Sequence, residues 1–425
     1  MTTATDPLGE ARALELDAAD PLASYRGRFR LPTDAAGTPR VYLAGQSLGA
    51  QPVTARDAMD CALEAWARLG VDGHFDRAGW FEADDALRAA TARLVGARPR
   101  EISTLNTLTA NLHLLLMSFF RPSGRRTAIL IDAPTFPSDR YAVESQLRQR
   151  GLDPSTELIV VGPRTGEALV RTEDLEAAIH DHRERLALAL LAGVNYATGQ
   201  VLDVARLTDA VHAAGAIAFW DLAHAVGNVP VDLRAADVDI AAWCTYKYLN
   251  GGPGSVGQIF VHDRYASDPT VPRLAGWWGN EDATRFEMAD TFRPERDANG
   301  WRLSNPSVFA LAPIAASLAI FDEVGLPALR EKSIALTGYL EALIDARIPD
   351  AEILTPRDPQ WRGAQLSLRL TDARQRLEAI AAEGVVADFR EPDVIRLAPT
   401  PLYNTYLDVW RAVAALHHDR PRPGT

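Results

Sequence analysis

Lysine has nearly vanished from this chain: of its 44 lysine and arginine residues, only Lys247 and Lys332 are lysines. Arginine replaces lysine as a surface charge, but it cannot lose a proton and condense with an aldehyde. Lys247 lies in Cys244-Thr-Tyr-Lys-Tyr-Leu-Asn-Gly-Gly-Pro-Gly254, between two tyrosines and ahead of a glycine-rich turn. It reads as a reactive amine rather than a chance surface charge. Lys332, in an amphipathic run over 328–345, reads as an ordinary solvated charge on a helix. Asp221 closes an apolar run in Phe219-Trp-Asp-Leu-Ala-His224. A carboxylate partly desolvated there needs a partner; a pyridinium nitrogen is one, and a loop cap is the plainer alternative. His224 can meet the same ligand. Asn106-Thr-Leu-Thr-Ala-Asn111 opens a helix with threonines. N–H groups at a helix start suit a phosphate, although a plain N-cap has the same look. Phe136, in Ala133-Pro-Thr-Phe-Pro-Ser-Asp139, can stack on a flat ring or simply fill core.

An aspartate at one strand end and a lysine at the next suit pyridoxal 5'-phosphate (PLP). The lysine would carry the aldehyde, and the aspartate would keep the ring nitrogen protonated so that the ring accepts electrons. Competing chemistries lack their residues. There is no GxGxxG or GxxxxGK[ST] phosphate loop, no HExxH and no GxSxG elbow. The histidines show no metal spacing beyond His180/His182 and His417/His418, so no metal is expected. Cys61 and Cys244 cannot build a disulfide framework. The net charge of −12 argues against nucleic acid and anionic membranes as partners. With no basic-then-apolar leader and no apolar run of spanning length, a cytoplasmic protein is expected.

The elements that must position these residues follow an α/β pattern. Strand-like runs at 127–132, 158–162, 186–194, 216–221, 240–245 and 257–262 alternate with helical ones at 107–120, 138–150, 172–183 and 204–214, after helices at 54–69 and 81–95. Short apolar strands between ten-residue helices mean βαβ units and a mostly parallel sheet. After residue 306 the pattern changes. One long helical stretch to 345 precedes strands at 365–370, 385–389 and 394–397, with a helix at 372–383. The expected division is an N-terminal segment 1–50, a large domain 51–305 and a smaller α+β domain 306–425 whose tail, from His417, is loose.

With these residues in hand, the chain resembles the PLP-dependent transferases of the aspartate aminotransferase superfamily, fold type I, and within them the kynureninase family. The likeness spans about residues 43–409. It rests on Asn111-Leu-His-Leu-Leu-Leu-Met, Phe136-Pro-Ser-Asp139, Asp221-Leu-Ala-His-Ala-Val-Gly-Asn, Cys244-Thr-Tyr-Lys-Tyr-Leu-Asn-Gly-Gly, Gly276-Trp-Trp-Gly, Arg302-Leu-Ser-Asn-Pro306 and Ile395-Arg-Leu-Ala-Pro-Thr-Pro-Leu-Tyr-Asn404.

The resemblance implies hydrolytic Cβ–Cγ cleavage of L-kynurenine or its 3-hydroxy derivative in tryptophan catabolism and NAD biosynthesis, by a homodimer with shared sites. It implies that Lys247 carries PLP, that Asp221 pairs with the ring nitrogen and that His224 lies beside the ring. Phe136 would stack on the ring in a loop with Pro137, Ser138 and Asp139. Leu108 and Thr109 would meet the phosphate, and Tyr246 would reach it and manage protons. Trp277 and Asn305 would come from the partner subunit. Arg396 would clamp the α-carboxylate, while His74, Ser304 and Asn305 would face the rest of the substrate. Gln46 and Ala192 depart from the family pattern, which has Asn and a hydroxyl residue there. A cysteine desulfurase or selenocysteine lyase, an aminotransferase and a non-catalytic binding protein of the same fold are the rivals. The first needs a nucleophilic cysteine well after Lys247, and none follows.

Overall fold

The structure, a computed structural model, describes residues 6–75 and 79–418. Seven strands form its central sheet: β1 (Ile102–Thr104), β2 (Ala128–Asp132), β3 (Leu158–Val161), β4 (Leu186–Ala192), β5 (Ile217–Asp221), β6 (Ile240–Cys244) and β7 (Gly257–Val261). Their order is β1-β7-β6-β5-β4-β2-β3. From β3 to β6 every neighbouring pair is parallel, while β7 runs antiparallel to both β6 and β1. β2, β6 and β7 are buried along their whole length, as strands with both faces covered must be. Alternate side chains feed two cores. Ile129, Ile131, Leu188 and Leu190 pack with helices α3 (Leu108–Phe119) and α4 (Pro137–Gln149) on one face. Leu130, Ala189, Leu191 and Trp220 join the core on the other. The β4 sequence, Leu-Ala-Leu-Ala-Leu-Leu-Ala, consists of good helix formers. Ladders to β2 and β5 on its two sides hold it as a strand instead.

A second, antiparallel sheet of β8 (Glu352–Ile353), β9 (Leu366–Arg369), β10 (Asp388–Arg390) and β11 (Val394–Leu397) has the order β8-β9-β11-β10. Its core combines Leu340, Leu343, Leu368 and Ile395 with Ala13, Val41 and Leu43 from the start of the chain. Ala13 belongs to α1 (Glu10–Ala18), and Val41 and Tyr42 pair in parallel with Val385 and Val386.

The structure corrects several expectations. The long helix after residue 306 is two, α5 (Val308–Val324) and α6 (Leu326–Arg347), bent by 86° at Gly325. Gly325 has φ of +78°, a conformation that glycine alone adopts without strain. Val385–Val386 and β10 are separate strands in different sheets rather than one run over 385–389. β1, α1 and the closing helix α7 (Tyr406–His418) were not expected. His417, expected in a loose tail, lies in α7 with Nδ1 2.9 Å from the Arg347 carbonyl; residues 419–425 lie outside the described part. Among the described residues, no single helix is long and apolar enough to cross a membrane.

The largest correction concerns Lys332. It is no solvated charge: Nζ lies 2.7 Å from Asp20 Oδ2, with both side chains buried. Desolvation lowers its pKa, and the Asp20 hydrogen bond opposes that shift. The pair ties α6 to the segment after α1, which the periodicity of α6 alone could not show. Removing one partner strands the other charge. Lys332→Ala is therefore expected to cost about 3–5 kcal/mol of stability. The double replacement Lys332→Met with Asp20→Leu should recover most of it, as measured by denaturant unfolding.

Candidate active site

β2, β4, β5 and β6 end at one edge of the sheet, and the loops that follow bring Phe136, Tyr196, His224 and Lys247 to one cavity. Ligands collect at such an edge because the chain leaves the sheet there and can turn side chains and backbone N–H groups toward a guest. The register sets Ala192 beside Asp221, and Asp221 beside Ala242. Backbone bonds fix the lysine turn: Gly251 N donates to Thr245 O at 2.8 Å, and Asn250 N donates to Lys247 O at 3.0 Å. Gly49 N donates to Tyr246 O at 2.8 Å from the N-terminal segment.

Around Lys247 the sheet gathers more acid than base. Asp132, Asp139 and Asp221 are all buried. Asp132 takes hydrogen bonds from Ala192 N (3.0 Å) and Asn195 Nδ2 (3.4 Å), and burial above all pushes it up to about 6. Asp139 rises well above the carboxylate range, first through burial and then through the neighbouring Asp221 charge. Asp221 Oδ1 accepts from Ala223 N at 2.7 Å. Lys247 Nζ stands 5.7 Å from the Phe136 ring centre. Burial and the Lys247, Arg396 and Arg390 charges hold His224 well below its ordinary value, so its imidazole is neutral at pH 7. Tyr246 is raised by burial and by Cys244, and keeps its phenolic proton. Cys244 is likewise raised, chiefly by burial, and is an unreactive thiol.

The opposite wall of the cavity is the start of α3, with Thr107, Leu108 and Thr109. Thr107 holds the N-cap position in extended conformation, and its hydroxyl caps nothing, leaving the first-turn N–H groups for an anion. The wall is pinned by Asn111 Nδ2 on Leu105 O at 2.7 Å. β7 passes it at Gly257, where a Cβ would stand 2.9 Å from Trp243 O and 3.0 Å from Asn111 Nδ2. An amine, a carboxylate, a neutral imidazole, an exposed aromatic ring and an uncapped helix start around one cavity fit the aldehyde, ring nitrogen, ring faces and phosphate of PLP.

Leu108, Thr109, Phe136, Ser138, Asp139, Asp221, His224, Tyr246 and Lys247 share this cavity, and Pro137 opens α4 beside it. His74, Trp277, Ser304 and Asn305 do not. They line a separate apolar hollow with Phe75 and Phe286, both of which are exposed. Arg396 does not line the Lys247 cavity either. It is buried behind Tyr196, whose carbonyl accepts from Nη1 at 2.6 Å. Gln46 is fully buried with both amide atoms unpartnered, and Ala192 stands on the cavity wall. Sequence reasoning passed over Asp132, Tyr196, Ser47 and Asp388. The first two follow strand ends and were findable by that rule; the last two are visible only through their contacts.

Comparison with known proteins agrees with this geometry. A model of the kynureninase C-terminal domain matches residues 329–416, and one of aminotransferase classes I and II matches residues 48–241. A protein of Koribacter versatilis named kynureninase is 49% identical over 416 residues, 97% of this chain and 98% of that one. One of Salinispora tropica with the same name is 51% identical over 420 residues, 96% of each chain. Among solved structures, a cysteine desulfurase of Escherichia coli superposes with a TM-score of 0.77 at 18% identity, covering 93% of this chain and 98% of that one. Another from Thermococcus onnurineus gives 0.74 at 16%, covering 89% and 94%. These two show the fold alone.

Asp132 offers a test of the buried charge. Its pKa in the fold is raised from 3.8 to about 6, so its burial costs nothing at low pH and opposes folding as pH rises through about 6. Asp132→Asn abolishes that titration. Thermal unfolding of the cofactor-free proteins is expected to show a melting difference, variant minus wild type, more positive at about pH 7.5 than at about pH 4.5. A difference constant with pH would refute the raised value.

Proposed function

The chain belongs to the kynureninase family, and from that premise we propose that it is a PLP-dependent hydrolase cleaving the Cβ–Cγ bond of L-kynurenine and of its 3-hydroxy derivative. Water is consumed, and anthranilate (or 3-hydroxyanthranilate) and L-alanine are released. The observation that carries the reading is the buried Lys247–Asp221 pair facing the uncapped start of α3 across one cavity. Bound there, the cofactor supplies an aldehyde carbon for the substrate amine and a ring that accepts electrons.

Each residue then has a task set by its state. The Lys247 amine would hold the cofactor's aldehyde carbon and, in turnover, would take the proton from the substrate Cα. Asp221 would meet the ring nitrogen of the bound cofactor, with buried Asp139 beside it on the same cavity. Neutral His224 would lie against the cofactor ring without adding charge. Tyr246, still a phenol, would give a proton to the γ-oxygen as water adds and take one back from it as the carbon–carbon bond breaks. Arg396 receives the α-carboxylate in its planar fork.

The cysteine desulfurase likeness extends to the fold and not to the chemistry. Cys244 is a buried strand residue with a raised pKa, and Cys61 is an exposed position on α2 (Ala55–Leu69), far earlier in the chain than Lys247. We further propose that two copies associate so that the hollow bearing His74, Trp277, Ser304 and Asn305 closes over the Lys247 cavity of the other. Exposed Phe75, Trp277 and Phe286 form an apolar patch that supports this.

Purified protein given PLP and L-kynurenine should produce the fluorescence of anthranilate, and no transfer to an added keto acid. Activity confined to cysteine, or dependent on a keto acid, would sink the reading. Lys247→Ala is expected to lower turnover by at least about 10²–10⁴-fold. Shared sites predict complementation: Lys247→Ala and Asn305→Ala chains, each inactive alone, should regain roughly a quarter of wild-type activity when refolded together, since half the dimers are mixed and carry one intact site. No recovery on mixing would place both residues in one subunit's site.

A further inference from the structure

Arg396 is the most buried cation near the site, and its surroundings assign a role to a residue outside the cavity. Arg396 lies on β11, and the register sets it directly opposite Asp388 on β10. Its Nε donates to Asp388 Oδ1 at 3.2 Å and its Nη2 to Oδ2 at 2.6 Å. Nη2 also donates to Ser47 Oγ at 3.0 Å, while Nη1 donates to the Tyr196 carbonyl at 2.6 Å. Asp388 is bonded to Ser47 Oγ as well and pairs with Arg390 Nη1 at 3.0 Å. Tyr196 is a cavity-wall residue whose ring stands edge-on to Phe136, 5.2 Å between centres. The guanidinium therefore reaches the cavity wall from behind, Nη1 first, with the Nε edge held by the opposing strand.

We propose that Asp388 is the positioning residue for substrate-carboxylate recognition: by occupying the Nε edge of Arg396 it turns the Nη1 end toward the Tyr196 wall, where an α-carboxylate arrives. The inference rests on the proposed reading of Arg396 as the carboxylate clamp. A planar fork has two usable edges, and the strand register commits one of them. Ser47, from the N-terminal segment, closes the triangle between Asp388 and Nη2. Asp388 touches neither the cavity wall nor any atom that reacts. Its loss should therefore act on binding of the carboxylate and leave the chemical step alone. An unpaired buried guanidinium would instead turn to whichever acceptors remain.

The test uses PLP-loaded wild type and Asp388→Asn, with L-alanine and L-alaninamide as ligands that differ only at the carboxylate. Binding is read from the absorbance of the bound cofactor, and KM and kcat are taken with L-kynurenine. For the variant, the Kd of L-alanine and the KM should rise by roughly ten- to a hundred-fold, with kcat within about threefold and L-alaninamide unaffected. Should Asp388→Asn fail to fold, Asp388→Glu keeps the charge but displaces the fork by one methylene, and the same split of KM from kcat is expected. L-alanine binding unchanged or tightened in the variant overturns the proposal, as does an equal loss for both ligands. If wild type itself does not prefer L-alanine to its amide, the clamp reading of Arg396 falls first and this inference with it.

Discussion

One constraint governs this molecule: a row of parallel strands must end at one edge, and whatever side chains close those strands are buried together. β2, β5 and β6 deliver Asp132, Asp221 and the Lys247 turn to neighbouring places, and α4 adds Asp139. Three carboxyls against one amine, out of contact with water, cannot all ionise. Burial answers by raising two of them, Asp139 well above the carboxylate range and Asp132 to about 6. Site selectivity here is the outcome of electrostatic competition in a dry place, not of a single well-placed residue.

The same competition explains the neutral groups. His224, pressed by burial and by the Lys247, Arg396 and Arg390 charges, loses its proton. Tyr246 keeps its own for the same reason of burial. A neutral imidazole against a ring and a protonated phenol near the lysine are what a proton-managing site requires at pH 7. Both states follow from the depth at which the strands end.

Much of this was legible in the sequence, and the reasons for success and failure are physical. Lys247 stood out because its type is rare in this chain and because no other side chain offers the same chemistry. The parallel strands were legible because burial on both faces makes them short and apolar, so that even the helix-prone β4 was found, with its start at Leu186 and its expected end at 194 two residues too long. Lys332 was misread because a helix's own period cannot say which face another segment covers, and Asp20 lies some three hundred residues away in sequence. The break at Gly325 was missed because one glycine inside an apolar run is tolerated as often as it breaks. Two-residue strands such as Val41–Tyr42 carry no period at all.

Arg396 shows where residue-by-residue reasoning stops. The family resemblance gave it a substrate carboxylate as partner, and the carboxylate it meets in the fold is Asp388 across the strand pair. A buried guanidinium cannot wait uncompensated for its substrate, because the desolvation of the charge must be balanced while the site is empty. The counter-charge has to be permanent, and it has to leave Nη1 turned to the Tyr196 side. A cross-strand neighbour meets both demands, since backbone ladders fix its distance and its direction together. The N-terminal segment then matters to the site for a mechanical reason. Ser47 contacts both members of the pair, and Gly49 bonds the carbonyl of Tyr246 beside Lys247. One short stretch thus bridges the sheet that holds the amine and the sheet that holds the arginine, and keeps the two in register with each other.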